Sequence, residues 1–175
     1  MKWILALAMI GVAGTAHAEV VGASGNGFEV RYAIQVVMPQ ERTFDAFTRI
    51  SEWWDKAHTY GGDSSKLSLS ATPGGCFCER LPGGGGIEHM RVTYVEPGQE
   101  MVMTGALGPL LYEAATGVMY IKVERIAGGS RLTLDYKVSG FANGGAEKMA
   151  PQVDEVLGDQ MARFRKFAAA IPQTR

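Results

Sequence analysis

A C-terminal stretch with helical spacing, preceded by a long series of short alternating segments, leaves few folds open to this chain. In the last segment Met149, Val153, Val156, Leu157, Gln160, Met161, Phe164, Phe167, Ala168 and Ile171 recur at steps of three and four, while Asp154, Glu155, Asp159, Arg163, Arg165 and Lys166 fill the opposite side. The pattern predicts one long amphipathic helix whose apolar stripe must be covered by something else in the chain. Asn143 is placed to cap it and Pro151 to sit in or near its first turn. Gly158 lies mid-helix, at a cost of about 1 kcal/mol relative to Ala, and a helix tolerates that where a sheet or a ligand comes close to its backbone.

The covering layer is legible upstream. Phe28, Val30, Tyr32, Ile34 and Val36 alternate with polar residues as in a half-buried strand. Pro39 then opens a short helix with Phe44, Phe47 and Ile50 on one stripe, and a second short turn over residues 51–56 carries Trp53 and Trp54. Six further strands are predicted over residues 67–72, 76–81, 87–95, 100–105, 117–126 and 130–139, separated by turn signals such as Gly74-Gly75, Pro97-Gly98 and Gly128-Gly129. The last two set Met119, Ile121 and Val123 against Leu132, Leu134, Tyr136 and Val138, so one face of an antiparallel meander is apolar. The expected class is α+β, with a seven-stranded antiparallel sheet curved around the C-terminal helix and two short helices after the first strand.

The other end of the chain carries an address. Lys2, an apolar run over residues 3–12 and Ala16-His17-Ala18 read as a secretory signal cut between Ala18 and Glu19; the alternative, a retained membrane anchor, is short of the ~20 apolar residues a span requires. The expected organisation is a signal over residues 1–18, a flexible, Gly-rich lead over 19–26, one domain over 27–171 and a tail over 172–175, with the mature protein periplasmic or secreted. Seventeen Lys and Arg against 18 Asp and Glu, with no basic run, exclude a nucleic-acid surface, and no later segment is long enough to span a membrane. A monomer or weak dimer is expected.

The order of elements resembles the helix-grip fold of the SRPBCC superfamily, which includes START lipid-transfer domains, polyketide cyclases and heat-shock-protein ATPase activator homologues. The resemblance runs from Gly27 to about Ile171 and is carried by Pro39-Gln-Glu-Arg-Thr-Phe44-Asp-Ala46-Phe47-Thr48 leading into Trp53-Trp54, by Gly74-Gly75-Cys-Phe77-Cys-Glu79 and by Val92-Thr-Tyr-Val95-Glu-Pro97. It implies an apolar cavity between the concave sheet and the C-terminal helix. Residues on the enclosing segments are Trp53, Trp54, Phe77, Met90, Met101, Met103, Leu111, Met119, Ile121, Leu134, Tyr136, Leu157, Met161 and Phe164. Met149 lies on the same segments, and flexible methionines suit either a variable ligand or plain core filling. Of the two tryptophans, adjacent on a helix, one faces the core and the other the cavity mouth, as an aromatic lid or as a packing corner.

Groups able to do chemistry are few. Glu79, near the cavity, is a candidate acid or base, or else an ion-pair partner of Arg80 or Arg91. His89, beside Glu88 and Arg91 on a strand, defaults to a surface or half-buried position with a catalytic base as the alternative, and Tyr136 is placed inside more securely. Cys76 and Cys78 are read first as two free, partly buried thiols, with a disulfide and soft-metal binding as alternatives. Only Glu79, His58 and His89 could complete a metal site and nothing brings them together, so no metal and no cofactor is expected. Residues 105–116 read as an apolar loop beside the cavity entrance, either a gate or an ordinary connection. No Gly-x-Ser-x-Gly elbow, protease cysteine motif or phosphate-binding Gly-x-x-x-x-Gly-Lys sequence occurs. The expected function is therefore an exported binder of a small hydrophobic molecule (lipid, aromatic or polyketide-like). The alternatives are a cyclase- or hydratase-type enzyme working in the same cavity and, third, a partner-binding module like the ATPase activators.

Overall fold

The computed structural model describes residues 17–172; residues 1–16 of the expected signal (1–18) and the end of the expected tail lie outside the described residues. Eight strands form one antiparallel sheet in the order β1-β2-β8-β7-β6-β5-β4-β3. They are β1 (His17–Ser24), β2 (Gly27–Val36), β3 (Leu67–Leu69), β4 (Cys76–Arg80), β5 (Gly86–Glu96), β6 (Glu100–Gly105), β7 (Ala114–Ile126) and β8 (Gly129–Phe141). Two helices accompany them, α1 (Gln40–Thr48) and the long C-terminal α2 (Ala150–Ala170). Among the described residues no helix is long and apolar enough to cross a membrane.

The expected strands all form, with β3 shorter than expected and β7 and β8 longer. The register of β7 on β8 pairs Met119 with Tyr136, Ile121 with Leu134 and Val123 with Leu132, so the apolar residues share the covered face. The eighth strand is β1, formed by residues read from sequence as signal end and polar lead. Its backbone pairs with β2 from His17 opposite Ala33 to Ser24 opposite Gly27, with a register shift between Val20 and Gly22. An edge strand is held by main-chain pairing, and the register shift after Val20 interrupts any alternation that could be read.

Helix α2 packs across this sheet through Leu157, Met161, Phe164 and Ala168, all buried. Phe164 meets Phe47 edge-on at 5.5 Å between ring centroids and Trp53 at 5.2 Å, which joins α1, the turn after it and α2 in one aromatic cluster. Trp53 completes the cluster by donating its indole N–H to the Phe47 carbonyl at 3.1 Å. Two polar ties fix α1 on the sheet: Gln40 Nε2 donates to the Val123 carbonyl at 2.8 Å, and the Thr43 and Ser130 hydroxyls are buried 2.8 Å apart. Asn143 does not cap α2. A separate helical turn, Ala146–Lys148, intervenes and Met149 occupies the cap position without a side-chain bond, while Pro151 sits in the first turn as expected.

Cys76 and Cys78 are joined in a disulfide, which corrects the reading of two free thiols. Residues two apart on a strand point to the same face, and with Cα atoms 5.4 Å apart the pair lies within bonding range. Cys76, Cys78 and Glu88 bring ligand atoms within 4.8 Å of one another. The sulfurs are consumed by each other and Glu88 is paired with Arg91, so this group does not suit a metal ion.

Candidate functional site

A cavity of about 460 Å³ opens at one end of the helix-sheet sandwich. Its floor is Phe77 of β4 and His89 of β5; one wall is Met149, Val153, Val156 and Leu157 at the start of α2. The opposite wall comes from two connections, the turn Lys56–His58 with Trp54, Thr59 and Tyr60 beside it, and the turn Gly108–Tyr112 with Leu107. The lining is therefore mostly apolar, with two imidazoles set into it.

Trp54, Phe77 and Leu157 line this cavity; the other residues expected to bind ligand do not. Met90, Met101, Met103, Met119, Ile121, Leu134, Met161 and Phe164 are buried as core, and Trp53 packs in the aromatic cluster. Leu111 is partly exposed on the turn Gly108–Tyr112 without joining the lining. Long methionine and phenylalanine side chains fill the central space between sheet and helix, which pushes the open volume to the end where α2 begins. The two tryptophans divide as their adjacency requires: Trp53 inward, Trp54 on the cavity with its ring edge-on to Phe77 at 5.3 Å.

His89 is buried, at 5 % exposure, deeper than the expected surface or half-buried position. The cause is a bulge. Phe77 pairs with Met90 but Cys78 pairs with Glu88, so His89 is an extra residue in β5 and turns inward next to Met90. It packs between Phe77, ring centroids 4.8 Å apart, and Tyr60 at 5.9 Å. Its Nε2 lies 3.2 Å from Oε2 of Glu79, a carboxylate that is itself 1 % exposed. Glu79 forms no ion pair with Arg80 or Arg91. It accepts the Gly61 N–H at 2.6 Å on Oε1 and the Tyr60 N–H at 3.1 Å on Oε2. A Cβ at Gly61 would come 3.2 Å from Oε1, so the missing side chain lets the loop close on the carboxylate.

These contacts fix the protonation pattern. A carboxylate already accepting two backbone N–H groups takes a third from His89, so Nε2 carries the imidazole proton. Burial pushes the His89 pKa below 6.5, with Glu79 opposing, so the ring is neutral and its Nδ1 is a lone-pair acceptor at pH 7. No buried side-chain nitrogen or oxygen among the described residues lacks a hydrogen-bond partner, and Nδ1 of His89 has none from the protein, so it is accessible from the cavity that His89 lines.

The second imidazole is oriented with equal definition. Asp55 caps the turn Lys56–His58 through the Ala57 N–H at 3.0 Å and ion-pairs with Arg163 of α2. The Asp55 N–H donates to Oε1 of the buried Gln160 at 2.8 Å, so the amide nitrogen of Gln160 faces Nδ1 of His58 at 2.8 Å and donates to it. His58 therefore keeps its proton on Nε2 and offers a donor where His89 offers an acceptor. Sequence reasoning put Gln160 in the apolar stripe of α2; a lone amide there was the available signal of a buried polar partner. Val156 belongs to the apolar stripe of α2 and Pro109 to the 105–116 loop expected beside the cavity entrance, and both line the cavity; Tyr60 carried no such signal.

Tyr136 does not reach the cavity. Its hydroxyl accepts the Leu107 N–H at 3.3 Å and donates to the Gly105 carbonyl at 3.4 Å, which tethers the start of the loop before β7. Burial pushes its pKa up to about 12, so it stays protonated and serves as a structural tie. A Cβ on Gly117 would fall 2.4 Å from the Tyr136 ring, so β7 needs a glycine where the ring crosses it.

Neither the family models nor the curated proteins contain a match to this chain. Solved structures do match in fold. CalU16 from Micromonospora echinospora superposes with a TM-score of 0.60 at 12% identity, over 90% of this chain and 88% of its own. Protein MLL2253 from Mesorhizobium loti gives 0.60 at 17% identity, over 83% of this chain and 99% of its own. DynU16, from the dynemicin biosynthetic locus, gives 0.56 at 19% identity, over 81% of this chain and 47% of its own. At these identities the likeness is one of fold: an antiparallel sheet gripping a C-terminal helix.

Proposed function

We propose that this protein is exported and binds a small, largely hydrophobic organic molecule in the cavity at the start of α2. The observation that carries the reading is the cavity itself, about 460 Å³ of mainly apolar lining with one imidazole donor and one imidazole acceptor to orient a ligand. Such a volume suits a molecule of one to a few rings better than an extended lipid chain. DynU16, similar in fold, comes from a biosynthetic locus, which is in keeping with a small-molecule ligand. Export is supported by the apolar segment ending in Ala16-His17-Ala18 and by the Cys76–Cys78 disulfide, a bond favoured outside the cytosol. Cleavage before Glu19 would leave most of the β1 pairing in place, from Glu19 opposite Arg31 onward.

The test is recovery of the protein from the periplasm of an expression host, followed by calorimetric titration with 2-naphthol. The mature chain is expected to begin at Glu19 and to bind one naphthol saturably. A chain retained at full length in the cytoplasm would refute export, and the absence of binding heat would refute the ligand site.

A further inference from the structure

Resting on the reading of this cavity as a ligand site, we infer that it also performs proton transfer, with Nδ1 of His89 as a general base acting on an apolar carbonyl compound that carries an acidic C–H next to the carbonyl. Four features of the site converge on it. The imidazole is held between Phe77 and Tyr60 and cannot swing away from the cavity. Its far nitrogen is anchored by a carboxylate that is locked by two backbone amides, the arrangement that fixes a base in one tautomer and stabilises the cation it becomes. Its near nitrogen is an unpaired acceptor in the lining. His58, fixed by Gln160, supplies an N–H donor to the same space.

A binding site that only needed to hold an apolar molecule would gain nothing from a buried carboxylate behind one of its imidazoles. Desolvating an ionised Glu79 is costly, and three residues, Tyr60, Gly61 and His89, are committed to supporting it. The step balances without any co-reactant. His89 Nδ1 takes the proton from carbon, the C–H electron pair moves to form the enolate, and the enolate oxygen accepts the hydrogen bond from Nε2 of His58. Where a β,γ double bond extends the enolate to a dienolate, return of the proton from Nδ1 to the γ carbon shifts the double bond into conjugation, yields an isomer and restores the neutral imidazole. Glu79 is a positioning residue: it touches His89, not the substrate.

Because the natural substrate is unidentified, the probe is 5-nitrobenzisoxazole, an apolar bicycle whose ring opens on loss of one C–H proton. The base takes that proton, the electron pair forms the nitrile, the N–O bond breaks, and the phenolate oxygen leaves with its pair and a visible colour. The wild-type protein is expected to exceed free imidazole at the same pH by at least about 100-fold in second-order rate constant. The rate should rise with pH through an ionisation below 6.5. Groups facing His89 that could contribute to that profile are Glu79 from β4, His58 and Tyr60 from the segment before β3, and Tyr112 from the loop before β7. His89→Ala should lose the acceleration. Glu79→Gln should lower the rate and move the inflection to lower pH, because the carboxylate favours the imidazolium; a purely structural loss would leave the inflection in place.

2-Naphthol titration of the same samples separates the two readings. Naphthol binding with a wild-type rate no greater than that of free imidazole overturns the base and leaves the binding site standing, as does an undiminished rate in folded His89→Ala. No naphthol binding and no turnover overturns both.

Discussion

Truncating Phe164 to alanine is expected to cost about 3–5 kcal/mol in a urea unfolding titration. Phe164 is fully buried in α2 and its ring is shared by Phe47 and Trp53, so its removal leaves a void lined by two aromatics that the backbone of α1 cannot close. Gln40 on Val123, and Thr43 on Ser130, hold that helix to the sheet and limit its collapse into the space. The site lies outside the cavity lining, so the folded fraction of the variant should bind 2-naphthol as the wild type does. A cost under about 1 kcal/mol would mean that the aromatic cluster is not a central part of the core.

Replacing Val156 with tryptophan should have the opposite profile. Val156 sits on the wall that α2 presents to the cavity and is half-buried, so an indole there can project into open space rather than into packed side chains. Naphthol affinity should fall by about 100-fold or more, equivalent to about 2.7 kcal/mol, with stability altered by less than about 1 kcal/mol. Calorimetry is the appropriate readout, since the new indole would confuse a fluorescence titration. An affinity unchanged by Val156→Trp would place the ligand elsewhere.

Most of the fold could be read from residue spacing, because both layers carry a strong period: two along β7 and β8, and three to four along α2. The strand that escaped, β1, is an edge strand with a register shift between Val20 and Gly22, whose pairing comes from main-chain groups. The site was legible only in part, for a specific physical reason. Alternation along β5 predicts that if Met90 faces inward His89 does not, and a bulge against Cys78 breaks that rule by one residue. The same extra residue that hides His89 from pattern reading is what brings it to Glu79. The methionines misled in the other direction. Apolar residues on the concave face are required whether the space is filled or empty, and only packing distinguishes the cases: Met101, Met103, Met119 and Met161 fill it. The remaining polar wall is built by contacts far apart in the chain, such as Gln160 with Asp55 and His58, which have no local signature.

The most direct measurement is native mass spectrometry of the mature protein purified gently from the periplasm, followed by denaturing extraction. The protein is expected to carry one small hydrophobic organic molecule, displaced by 2-naphthol and absent from Val156→Trp. Protein that is empty as isolated, and whose melting temperature is unmoved by 2-naphthol or any of a panel of aromatic and carbonyl compounds, would contradict this expectation.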